Sequence, residues 1–65
     1  MKEEYKFFKT LKAAVNCYLE NDDSDLYIYG GKNKRYEYMM TLREGGFDER
    51  FAAEYPYLVV IDIIE

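Results

Sequence analysis

Histidine and tryptophan are absent from this 65-residue chain, which holds one cysteine, Cys17, one proline, Pro56, and one serine, Ser24. Each shortage removes a class of chemistry. A single cysteine closes no internal disulfide, and without histidine the common zinc constellations cannot be assembled. The same lack leaves Cys17 and Ser24 without an imidazole base, and the remaining carboxylates fall mostly in expected loops, so no enzyme is expected. No cofactor or metal is expected either. The run Asn21-Asp22-Asp23-Ser24-Asp25 tests as a calcium loop and fails, because Leu26 stands where the sharp turn needs glycine and Lys32 where a bidentate glutamate is needed. Glycine is scarce too. Gly30-Gly31 and Gly45-Gly46 lack the spacing and the following Lys-Ser/Thr of a phosphate cradle, so both pairs read as punctuation. The longest apolar run, residues 57–61, is far below membrane-spanning length, and no signal-type run follows the charged start; a soluble, reducing, cytoplasmic setting is the expectation.

What the chain has in quantity is apolar and aromatic residue, 49% and 18%, beside 34% charged. That is enough to bury a core rather than remain disordered, and 65 residues make one small domain, 1–65. The formal charge is −4 and it is segregated: +2 over residues 1–19, −4 over 20–25, +3 over 26–43 and −5 over 44–65. A net negative chain is poorly suited to phosphate backbones, so no direct nucleic-acid binding is expected.

In chain order, residues 2–20 place Phe7, Phe8, Leu11, Ala14, Val15, Tyr18 and Leu19 in one stripe at helical spacing, with Lys6, Lys9 and Lys12 opposite, and predict an amphipathic helix. Cys17 falls beside the stripe and reads as a half-buried filler. Residues 26–29 and 36–42 alternate in type around the Gly30-Gly31 linker and predict a β-hairpin, with Leu26, Ile28, Tyr36, Tyr38, Met40 and Leu42 turned to the core. Its outer face would then carry Tyr27, Tyr29, Arg35, Glu37, Met39 and Thr41. Residues 47–55 predict a short helix ended by Pro56, and residues 57–64 a strand apolar on both faces, either central between two helices or covered by a partner. The bond before Pro56 is the one with appreciable cis propensity.

The expected fold is therefore α+β in the order α-β-β-α-β, a three-stranded sheet of hairpin plus C-terminal strand packed on an N-terminal amphipathic helix. The third strand is expected parallel to its predecessor through a crossover, with an all-antiparallel sheet as the alternative. The functional expectation is a protein-binding module. Its contact surface would be Tyr27, Tyr29, Arg35, Glu37 and Met39, with Asp22, Asp23, Asp25, Glu44, Asp48 and Glu49 setting the sign of a basic or nucleic-acid-binding partner. In being small, acidic and tyrosine-rich, the chain resembles at class level the phage inhibitors of host defence nucleases, the anti-CRISPR type among them; this implies occlusion or partial phosphate mimicry. Two alternatives are self-association, as a homodimer, through a hairpin edge or the apolar strand, and single-strand binding by Tyr27 and Tyr29 with Lys32, Lys34 and Arg35.

Overall fold

The computed structural model describes residues 2–64, and its elements run β1 (Lys2–Phe8), α1 (Leu11–Glu20), β2 (Ser24–Ile28), α2 (Arg35–Glu44), α3 (Glu49–Glu54) and β3 (Tyr57–Ile63). The three strands form one sheet in the order β1-β3-β2, with both neighbours antiparallel to β3. It is thus a small α+β domain in the order β-α-β-α-α-β, and the expected order and the parallel crossover are both corrected. β1 and β2 run parallel to each other with β3 between them, a split β-α-β unit closed by α1.

β3 is the axis. Its alternate residues serve two cores: Leu58 and Val60 are buried with Tyr36, Met40 and Ala52 under α2 and α3, while Val59 and Ile61 are buried with Ala14 under α1. That is why the sequence there is apolar at nearly every position: the strand lies centrally and the helices divide between its faces. All described peptide bonds are trans, the one before Pro56 included.

The expected helix over residues 2–20 exists only from Leu11. Two features break it. In Lys2–Phe8, Tyr5 and Phe7 follow a period of two onto the α2 and α3 side, whereas Lys2, Glu4 and Lys6 lie on the other. Thr10 then adopts an extended conformation (φ −120°, ψ 148°), and its Oγ1 accepts the Ala13 N–H at 3.2 Å, capping α1. Thr10→Ala should cost about 1 kcal/mol in a urea melt, with Thr10→Ser nearly neutral; equal losses for both would deny the cap its role. α1 rests on the sheet through small residues, Ala14 and Cys17, and leaves Leu11, Tyr18 and Leu19 exposed.

The second strand of the expected hairpin is a helix. Tyr36 and Met40, four residues apart, are both fully buried, which a helix achieves and which the alternation in residues 36–42 also accommodated as a strand. Tyr38 and Leu42, expected inside, are 55% and 59% exposed. Gly30 (φ 84°) and Lys34 (φ 56°) turn the chain out of β2 and into α2, and Gly45 (φ 76°) ends that helix with its N–H on the Thr41 carbonyl at 2.9 Å. The short helix before Pro56 stands as α3, capped by Asp48.

Most of the aromatic rings are buried in or packed against the two cores. Tyr55 stacks on Phe51 (4.8 Å), Phe51 meets Phe7 edge-on (4.9 Å), Phe7 meets Tyr36 (6.1 Å), and Tyr36 leads through Tyr29 (5.6 Å) to Phe47 (5.7 Å). Six rings therefore form one chain through the layer between the sheet and α2 and α3. Such pairs add about 0.5–1.5 kcal/mol each beyond their burial.

Candidate functional site

The conversion of a strand into α2 dismantles the tyrosine face expected on the hairpin. Tyr27 is half-buried on β2, and Tyr29, just beyond it, donates its N–H to the Pro56 carbonyl at 2.8 Å and packs its ring in the core. Met39 is also drawn against that core. Arg35 stays exposed at the start of α2, its N–H bonded to Asn33 Oδ1 at 3.2 Å. Glu37 is mostly covered; its Oε2 lies 4.0 Å from Lys34 Nζ and its buried Oε1 has no partner. Tyr27 and Tyr29, both half-buried, lean against the core under α2 and α3.

The acidic residues fall into two groups. Across one end of the sheet Glu3 stands opposite Asp62, whose N–H donates to the Asp23 carbonyl at 2.8 Å, so Glu3, Asp62 and Asp23 make a row, with Asp25 two rows further in on the same face as Asp23. Like charges aligned across strands oppose folding. Two tyrosines lie within this field: burial first, then Glu3, pushes the Tyr5 hydroxyl above its ordinary value, and burial followed by Asp25 does the same to Tyr27, while Arg43 and Arg35 respectively pull the other way. Arg43 also covers the Tyr5 ring at 5.3 Å. Asp22 lies exposed in the turn before β2.

The second group frames a cleft of about 290 Å³ lined by Phe7, Met40, Glu44, Asp48 and Phe51. Three elements build it. β1 contributes Phe7, the buried side of α2 contributes Met40, and the Gly45-Gly46 turn lets α3 fold back so that Phe51 closes the floor. Asp48 is fixed twice, its Oδ1 accepting the Phe51 N–H at 3.1 Å and its own N–H directed to Met40 Sδ at 3.4 Å. Glu44 sits at the C-terminal end of α2, 3.2 Å from Arg43 Nε, and both carboxylates stand at an exposed lip over an apolar floor. Glu49, in the first turn of α3, is exposed nearby in sequence. Of the expected contact residues, then, Glu44 and Asp48 are brought together, whereas Tyr27, Tyr29 and Met39 serve the core. Phe7, Met40 and Phe51 went unrecognised as site residues; the signal for them was the pairing of a glycine helix stop with an Asp helix start three residues on, which marks two helices meeting at a corner.

No group of three or more His, Cys, Asp or Glu among the described residues could hold a metal ion, and no described helix is long and apolar enough to cross a membrane. Cys17 is half-buried, with Asn21 Nδ2 bonded to its carbonyl at 2.8 Å. A second hollow of about 270 Å³ lies beside Leu26, Tyr27, Ile28, Gly31, Lys32 and Asn33 and is the more polar of the two. Fold and surface together define a small α+β domain that carries, among its hollows, an apolar cleft with an acidic lip. No protein-family model, curated protein or solved structure matches the chain.

Proposed function

We propose that the protein is a binding module for a basic protein, and that the cleft between β1, α2 and α3 receives a lysine or arginine side chain of that partner. The supporting observation is the cleft's two-part chemistry: the floor of Phe7, Met40 and Phe51 suits an aliphatic stem and the flat of a guanidinium, and Glu44 and Asp48 stand where the charged head would emerge. The overall charge of −4 steers a basic partner towards the surface and repels acidic ones. A partner that normally grips phosphates would meet carboxylates in their place, so inhibition of a nucleic-acid-binding enzyme by occlusion, as in phage anti-defence proteins of the anti-CRISPR type, is the role this chemistry suits. No catalytic step is assigned.

The test is a charge change that spares the fold. Asp48→Asn keeps a good helix cap while removing the charge, and Glu44→Lys reverses the other. The wild-type chain should recover a stoichiometric basic protein from nuclease-treated lysate, and the double variant should bind that protein at least about tenfold more weakly, as expected when a charge-assisted pair is lost. Recovery of no stoichiometric protein, or equal binding by the variant, would refute the proposal.

A further inference from the structure

We propose that two copies of the chain pair edge to edge through β1, antiparallel, with Tyr5 opposite Tyr5, joining two three-stranded sheets into one of six strands in the order β2-β3-β1-β1-β3-β2. β1 is an outer strand, paired with β3 along all seven of its residues without a bulge, and its other edge faces no strand among the described residues. Straight, unbroken edges of this length template further strands unless proline, a bulge or a covering element blocks them. β1 holds no proline; α1 packs on one face of it, and α2 reaches its other face through Arg43 over the Tyr5 ring and Tyr36 against Phe7, so the helices lie on the faces of the sheet. The β2 edge is shorter, at five residues.

The charge pattern of β1 selects one register. With Tyr5 opposite Tyr5, Glu4 of each copy faces Lys6 of the other, twice by symmetry, and the two Tyr5 rings meet on the opposite face. A slip of two residues one way sets Glu4 against Glu4 and Lys2 against Lys6; a slip of two the other way sets Lys6 against Lys6. Like charges directly opposite across strands are destabilising and unlike charges favourable, so both slips are disfavoured. A slip of one residue turns one copy over; it sets Glu3 against Lys6, which charge allows, but it places Glu4 against Tyr5 and forfeits the ring pair, and that loss is what disfavours it. Within one chain Lys6 Nζ already lies 3.4 Å from Glu4 Oε1, both about half exposed, so the same two side chains are extended along the edge and open to a second pair of partners. The pairing is isologous and closed, which gives a dimer rather than a fibre. It is independent of the basic-partner reading, since neither Glu44 nor Asp48 takes part.

Sedimentation at high micromolar concentration tests the register directly. The wild-type chain should dimerise. Glu4→Lys and Lys6→Glu, each an exposed change that circular dichroism should show to be folded, should each weaken dimerisation at least about tenfold, because each sets like charges opposite. Mixed in equal amounts, the two variants should dimerise again, since one then presents two lysines along its edge and the other two glutamates. A strictly monomeric wild type overturns the proposal. So do single variants that dimerise as the wild type does, as a contact through the exposed Leu11 and Leu19 of α1 would give, and so does a mixture that stays monomeric.

Discussion

Leu58→Ala should lower the stability of the domain by about 2–5 kcal/mol, the range for removing a large aliphatic side chain from a core that cannot collapse around the gap. Leu58 has no exposure, and in register it stands between Phe7 of β1 and Tyr27 of β2, so both neighbouring strands lose packing at once. A domain of this size has a total stability of roughly 3–10 kcal/mol at the usual per-residue values. The variant should therefore forfeit a large fraction of that stability, read as a lowered urea midpoint followed by far-ultraviolet circular dichroism. Ile63→Ala is the control on the same strand: at 36% exposure its loss should stay below about 1 kcal/mol. Near-equal losses would show that Leu58 is not the pivot of the core.

The second large effect is alkaline unfolding. Burial, then the nearby Glu37 and Tyr29, pushes the Tyr36 hydroxyl up to about 12, against 10.0 for a free tyrosine. Tyr5 and Tyr27 are raised as well, again by burial first. The fold thus favours the neutral phenols. Their contribution is fully present below the unfolded value, and it is lost as pH climbs from that value through the folded ones, because only the unfolded chain ionises freely in that window. Denaturation midpoints should hold steady up to about pH 9 and fall steeply above about pH 10, with tyrosinate absorbance rising together with loss of structure. Tyr36→Phe separates two contributions of the hydroxyl. At neutral pH the variant loses the 2.6 Å bond to the Tyr55 carbonyl and about 1–2 kcal/mol with it. In alkali it should decline less steeply than the wild type, so the gap between the two narrows. Parallel decline of both would mean that Tyr36 does not drive the transition.

Where local pattern and tertiary demand agree, the fold is legible in the chain. Residues 57–64 can hardly be other than a strand covered on both sides, and Pro56 marks its start as plainly as Asp48 marks the start of α3. Ambiguity of period defeated the rest. Tyr36 and Met40 satisfy both a two-residue and a near-four-residue repeat, and a helix wins because the layer above Leu58 and Val60 needs two residues pointing the same way from one turn to the next. In β1 the apolar stripe beginning at Phe7 and Phe8 belongs half to a strand and half to a helix, and the partner that makes residues 2–8 a strand lies at the other end of the chain, beyond the reach of any local window. The acidic lip was legible because charges beside a glycine turn stay at the surface. The placement of Tyr27 and Tyr29 against the core was not legible, because nothing local announces that α2 rather than a second hairpin strand lies over that face.

The position of β3 in the chain also governs when the molecule can fold. Among the described residues β1 and β2 do not pair with each other; each takes its ladder of backbone bonds from the strand that follows both of them. A ribosome delivers β1 and β2 before the strand that pairs with both, so the emerging chain carries two strands with open edges and a row of aromatic side chains that have nothing to pack on. Assembly then waits on contacts between residues separated by most of the sequence, which makes for slow folding compared with helical proteins of equal length and an interval in which misassociation competes. Helix α1 can form early on its local hydrogen bonds, yet the sheet it is to cover does not exist until Tyr57–Ile63 has been made.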